Sequence, residues 1–191
     1  MKVVAFNGSA RSEGNTSILL QTALNELNDA GFETELINLA GKPIQGCRAC
    51  YVCFEKKNKQ CAITQDIINE CIRKMDESQG ILLGSPTYFA DISASMKALI
   101  ERCGMVGRAN NGLFKRKAGA GIVAVRRAGA IHAFNSLNYF FTISEMIIPG
   151  SSYWNIGIGR QPGEVNQDEE GIKTMKDLGK NMAWLLKKMH S

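Results

Sequence analysis

What constrains this chain most is a regular alternation. Short unbroken apolar runs are separated by segments whose apolar residues recur at helical spacing. Val3-Val4-Ala5-Phe6 runs into Asn7-Gly8-Ser9, as a buried strand entering a turn does. Glu35 to Asn38 is a weaker run, Gly80 to Gly84 and Gly121 to Val125 are clear ones, and Glu145 to Ile148 is stopped by Pro149-Gly150. Between them, Ile18, Leu19, Ala23, Leu24 and Leu27 mark a first helix closed by Gly31, and Ile67, Ile68, Cys71, Ile72 and Met75 a second. Ile92, Met96, Leu99, Ile100 and Cys103 mark a third, Ala130 to Phe141 a fourth, and Met175, Leu178, Met182, Leu185 and Leu186 a last.

Five strands and five helices in alternation predict an α/β protein. Strands that are apolar throughout imply a parallel sheet covered on both faces. Right-handed crossovers then make it doubly wound, in flavodoxin-like order. With no internal repeat and no linker, residues 1–191 are expected to form one domain. Two stretches fall outside the alternation: a cysteine-rich insertion at 46–62 and an irregular, aromatic-bearing excursion at 150–166.

In an open sheet of this kind ligands lie beyond the carboxyl ends of the strands, where the strand order switches. The segment after the first strand, Asn7 to Ser17, lacks both the G-x-G-x-x-G fingerprint and the Walker lysine. It is instead a run of small and hydroxyl residues leading into a helix N-terminus. Backbone N–H groups and the hydroxyls of Ser9, Ser12, Thr16 and Ser17 can wrap a phosphate there, with Arg11 the only cation. Capping of the helix by Asn15 or Thr16 is the plainer use of such residues, but eleven positions are more than a cap needs. After the third strand, Pro86 stiffens a turn that carries Thr87, Tyr88 and Phe89 into a loop where a planar ring system can stack. The alternative is that the two aromatics only roof the sheet. After the fourth strand, Arg126, Arg127 and Gly129 reach toward the same crevice, with an Arg available to a flavin pyrimidine edge or a nicotinamide phosphate.

A phosphate at one end and a flat aromatic system at the other describe FMN. The low-molecular-weight tyrosine phosphatases share this architecture, but no Cys here is separated from an Arg by the five residues that their motif requires. Gly8-Ser9-Ala10-Arg11 with Gly14-Asn15-Thr16-Ser17, and Gly84 to Phe89 continued by Asp91 to Lys97, resemble the two signature loops of the NADPH-dependent FMN reductase superfamily. The resemblance spans the chain. It implies FMN with its phosphate at Ser9, Arg11, Asn15, Thr16 and Ser17 and its ring at Pro86, Thr87, Tyr88 and Phe89. It also implies NAD(P)H as electron donor, and a homodimer or homotetramer that completes the flavin site. The family's Gly-rich third loop is replaced here by Arg126 to Gly129.

Cys47, Cys50, Cys53 and Cys61 form C-x2-C-x2-C-x7-C. Four thiolates in so short a stretch can ligate one [4Fe–4S] cluster. The spacing resembles the compact motif of the iron–sulfur flavoproteins, a branch of the same superfamily. That resemblance implies a cluster near the FMN of a neighbouring subunit and one-electron partners such as ferredoxin. Zinc, or thiols without metal, remain open alternatives. Cys71 and Cys103 fall on apolar helix faces and read as core.

The net charge of +5 is modest, its only dense basic runs, Lys115-Arg116-Lys117 and Arg126-Arg127, sit where loops are expected, and no basic helical stripe points to nucleic acid. No apolar run reaches membrane-span length, and Met1 to Phe6 is too short for a secretory signal, so a cytoplasmic protein is expected. The functional expectation is an FMN-dependent oxidoreductase, with a non-enzymatic FMN/[4Fe–4S] carrier between proteins as the second reading. No acid/base pair suggests itself, since His132 and His190 are the only histidines.

Overall fold

The computed structural model describes residues 1–190. A five-stranded parallel sheet runs through it in the order β2-β1-β3-β4-β5, with β1 at Lys2–Asn7, β2 at Glu33–Asn38, β3 at Gly80–Pro86, β4 at Ala118–Val125 and β5 at Ile156–Ile158. Helices α1 (Asn15–Asp29) and α6 (Glu169–Met189) cover one face. The other carries α3 (Ile68–Glu77), α4 (Ala94–Ala109) and α5 (Ala130–Ile143), with a short α2 (Val52–Lys56) in the cysteine-rich stretch.

Alternate residues of each strand feed opposite cores, as the pleat demands. Val4, Phe6, Ile81, Leu83 and Val123 pack with Ile72, Met96, Leu99 and Leu137. Val3, Ala5, Leu82, Ala120 and Ile122 pack with Leu20, Leu24, Leu178 and Met182. Both faces of β1 are therefore dry, and its uninterrupted apolar run follows from that. The edge strand β2 is only partly buried, and Glu35 there pairs with Lys2 at 2.9 Å and Lys74 at 2.7 Å. No helix among the described residues is long and apolar enough to cross a membrane.

The fifth strand is not where the sequence places it. Glu145 takes a left-handed φ of 56°, and Met146 N–H bonds back to the Phe141 carbonyl, so this segment closes α5 instead of extending. Ile147 makes a single parallel bridge to Ala118. After Pro149 the chain loops out and returns as β5 beside Val123–Val125, inside the stretch expected to be irregular. Buried Asn155 bridges the gap: its side chain donates to the Gly121 carbonyl at 3.0 Å and its own carbonyl accepts from Val123 at 2.9 Å.

Candidate functional sites: a cleft at the strand switch and a cysteine cavity

The switch in strand order falls between β1 and β3, and a cleft of about 200 Å³ opens beyond the carboxyl ends of β1, β3, β4 and β5. Its walls include Ser9, Arg11, Gly14, Asn15, Thr16, Pro86, Thr87, Tyr88, Arg126 and Arg160. A larger hollow of about 780 Å³ runs from Arg11 along β2 to Lys42 and Glu70, but it is shallow and open to solvent.

The first loop is shaped from beneath by Asn7, whose buried side chain donates to Asn38 Oδ1 at 2.8 Å and to the Arg11 and Ser12 carbonyls at 3.4 Å. Asn7 Oδ1 in turn accepts from Ser9 N–H at 3.0 Å, and Ser9 Oγ accepts from Arg11 N–H at 3.1 Å. Gly14 stands at the N-cap of α1 and offers no side-chain cap, so the first N–H groups of the helix face the cleft open. Asn15 is committed elsewhere. Its carboxamide donates to the Gln161 carbonyl at 2.9 Å and accepts from Gly163 N–H at 2.9 Å, which ties α1 to the segment after β5.

A hydroxyl knot joins the first loop to the second. Ser93 Oγ donates to the Gly8 carbonyl at 2.6 Å and caps α4 by accepting from Met96 N–H at 3.2 Å. Ser85 Oγ accepts from Ser93 N–H at 2.9 Å. Beyond it, Tyr88 and Asp91 exchange backbone hydrogen bonds of 2.8 and 3.0 Å across a two-residue turn. Phe89 and Ala90 at its tip have φ of 48° and 64°, a conformation that costs non-glycine residues free energy. Phe89 points into solvent and away from the cleft wall.

Of the residues singled out in sequence, the cleft gathers Ser9, Arg11, Asn15, Thr16, Pro86, Thr87, Tyr88 and Arg126. Ser17, Phe89, Arg127 and Gly129 do not line it. Gly129 instead caps α5 with φ of 87° and approaches the second loop so closely that a Cβ would meet Ala90 Cα at 3.0 Å. Gly159 and Arg160 line the cleft unannounced, because they follow the strand that sequence reading misplaced. Asp91 and His132 also meet, at 3.7 Å, although 41 residues separate them.

The lining of the cleft suits a ligand that carries a phosphate and a polar-edged ring, as FMN does. Thr87 Oγ1 is buried and has no hydrogen-bond partner, a costly arrangement unless something bound in the cleft supplies one. It sits on the same wall system as the uncapped N-terminus of α1, so one end of the cleft favours an anion and the other wants a polar-edged ligand.

The cysteine motif forms a separate place. Cys47, Cys50, Cys53 and Cys61 all line one largely enclosed cavity with Arg48, Tyr51, Ile63, Arg102 and Met105, and that cavity shares no residue with the cleft. Among the described residues, no three Cys, His, Asp or Glu side chains come together around a single ion. The cavity that the four cysteines share measures about 20 Å³. Donors already point at the sulfurs: Ala49 N–H reaches Cys47 Sγ at 3.4 Å and Arg102 Nε–H reaches Cys61 Sγ at 3.3 Å. The Val52 N–H and the Arg48 side chain hold the Cys50 thiol below its ordinary pKa, while burial pushes Cys53 above it. Burial also drives Cys71 up to about 12, which marks it as inert core.

Arg102 escaped the sequence reading. It is 1% exposed and pairs with buried Asp66. Burial works against that carboxylate, yet the Arg102 hydrogen bond and the Ile68 and Gln45 N–H donors hold its pKa below the usual range. The available signal was a lone cation one position before Cys103 on an otherwise apolar helix stripe.

Comparison with known proteins is consistent with this geometry. The model of the family described as NADPH-dependent FMN reductase matches residues 1–161. An iron-sulfur flavoprotein from Methanocaldococcus jannaschii is 37% identical over 195 residues, covering 98% of each chain. The crystal structure of RosB with a bound riboflavin-phosphate intermediate superposes with a TM-score of 0.77 at 16% identity, over 100% of this chain and 80% of that one. A flavodoxin from the domain Archaea superposes with a TM-score of 0.63 at 15% identity, over 98% and 99%. These two likenesses show the fold, flavodoxin-like as the alternation predicts.

Proposed function

This chain belongs to the NADPH-dependent FMN reductase family, and we propose that it is an FMN-dependent oxidoreductase of the iron–sulfur flavoprotein kind. The observation that carries this reading is the cleft at the strand switch, bordered by an uncapped helix N-terminus and by the loop that carries the orphaned Thr87 hydroxyl. Ser9, Arg11, Thr16 and the backbone N–H groups of Asn15, Thr16 and Ser17 hold the phosphate. Pro86, Thr87 and Tyr88 seat the ring, and Thr87 Oγ1 satisfies a polar atom on its edge. Phe89, Arg127 and Gly129 act at the rim, where they shape the second and third loops. Arg126 and Arg160, which also line a neighbouring hollow of about 380 Å³, draw an anionic donor such as NAD(P)H toward the cleft. Bound FMN supplies the redox chemistry; the chain binds it, orients it and excludes water.

The four cysteines support the second reading, a relay of single electrons through a [4Fe–4S] cluster to carriers such as ferredoxin. Cys47, Cys50, Cys53 and Cys61 would hold the cluster and Arg102 would lie against it. The likeness to iron–sulfur flavoproteins implies an exchange across a subunit boundary, in a homodimer or homotetramer. The exposed Ile131, Tyr139 and Ile143 on α5 suit such an assembly.

An absorption spectrum with iron and sulfide analysis of anaerobically purified protein tests both readings. A yellow-brown protein with bound FMN and iron is expected. Protein that binds no added FMN would end the first reading, and a yellow protein free of iron would end the second. Stopped-flow reduction then separates donors: fast reduction by NAD(P)H favours the reductase, and fast reduction only by reduced ferredoxin favours the carrier.

A further inference from the structure

Arg102 is an expensive residue in its position. An arginine with a wholly buried side chain has lost its hydration, and its pairing with Asp66 recovers only part of that cost. An apolar side chain on α4 would fill the same space more cheaply, as Leu99, Cys103 and Val106 do around it.

The guanidinium is spent on the cysteine loop. Nη1 donates to the Gln45 carbonyl at 3.3 Å, just before Cys47, and Nη2 donates to the Ile63 carbonyl at 2.8 Å, just after Cys61. Both ends of the loop are thus tied to one side chain on α4. The third nitrogen, Nε, directs its N–H at Cys61 Sγ from 3.3 Å. A neutral thiol is a weak acceptor. A buried cationic N–H is well satisfied by that sulfur only when the sulfur is anionic, as it is when it ligates a metal.

We propose that Arg102 is a positioning residue for the centre held by the four cysteines, clamping the loop that carries them and raising the centre's reduction potential through Cys61. This rests on the cluster reading above. Each added electron makes a thiolate-bound centre more negative by one charge. A fixed cation at hydrogen-bond distance therefore favours the reduced form, as hydrogen bonds to ligating sulfurs do generally. Asp66 lies on another nitrogen of the fork, so it holds the guanidinium in place while moderating its charge.

The test compares two variants that share a neutral residue at position 66. In Asp66→Asn the guanidinium keeps a hydrogen-bond partner but loses its counter-charge; in the double variant Arg102→Gln/Asp66→Asn neither buried ion remains. Redox titration of the holoprotein, monitored by electron paramagnetic resonance for the cluster and by absorbance for the flavin, gives both potentials in one sample. The cluster of Asp66→Asn is expected to titrate at or above the wild-type potential. That of the double variant should favour the oxidised form about tenfold more than Asp66→Asn, a drop of about 59 mV for a one-electron couple. The flavin potential should not move. Coincident cluster potentials in the three proteins would overturn the proposal. So would a flavin that shifts in step with the cluster, because general loosening of the fold would then explain both. If wild-type protein assembles no iron and sulfide, the cluster reading itself fails and takes this proposal with it.

Discussion

In the cleft, the lining groups sit at the ends of β1, β3, β4 and β5 or on the first turn of α1. Every group lining the cysteine cavity comes instead from the loop between β2 and α3, or from α4. The cleft inherits its geometry from a sheet buried on both faces. The cysteine loop owns one five-residue helix and four non-glycine residues, Ala49, Tyr51, Lys57 and Lys59, in left-handed conformation. Such strain persists only where the surroundings over-determine it. Here side chains on or beside the neighbouring helices do so: the Arg102–Asp66 pair, Glu101 on the Cys47 N–H, Asn69 on the Cys61 N–H and Asn110 on the Lys59 N–H. The contrast separates a site made of backbone and strand ends from a site made of side-chain clamps.

The largest effect should come from breaking the clamp. Asp66→Ala strands a buried guanidinium and should cost about 3–5 kcal/mol in urea unfolding. Iron uptake should fall with it while FMN still binds. The same pair sets an acid limit. Because the native Asp66 pKa is lowered, its stabilisation is present above the ordinary carboxylate pKa of about 3.9 and is lost as pH falls through the lower native value. Amide exchange around Cys47 to Cys61 should therefore quicken below about pH 4 before the sheet opens. Equal protection of loop and sheet at that pH would erase the distinction.

Gly8→Val attacks the other region at its frame. A Cβ there would stand 2.8 Å from Met96 Cβ, so the first loop and α4 must part, at about 1–3 kcal/mol. FMN affinity, followed by fluorescence quenching, should drop by about tenfold or more, with iron content preserved.

Thr87→Val sharpens the comparison because its two effects differ in sign. Removing a buried hydroxyl that lacks a partner should leave the ligand-free protein as stable or slightly more so. FMN binding should weaken by about 1 kcal/mol, near fivefold. Unchanged affinity would mean that the hydroxyl does not face the flavin. Ala90→Gly should give the smallest change: relief of the positive φ raises stability by less than about 1 kcal/mol in thermal melts, and the Phe89 turn keeps its shape.

Much of this was legible along the chain. β1, β3 and β4, the helices that cover them and the Asn7 to Ser17 loop each announce themselves within a dozen residues, because burial on one helix face or on both strand faces leaves a local periodic mark. The four cysteines are equally plain as a set. The β5 strand was not legible, since Ile156-Gly157-Ile158 is three residues long with a glycine at its centre, while Glu145 to Ile148 offers the better apolar run. That competition was settled by the left-handed turn at Glu145 and by Asn155 reaching Gly121, 34 residues away.

The sequence by itself determined the layered fold and the residue types available for an anion, a ring and a set of sulfurs. Tertiary structure alone decided that Asn15 spends its carboxamide on Gln161 and Gly163, that Arg160 joins the cleft, and that Arg102 meets Asp66 and Cys61. Hydrophobic periodicity is a property of neighbours in the chain. A buried charge or amide is placed by whichever distant groups the packing brings within about 3 Å, and no local pattern records them.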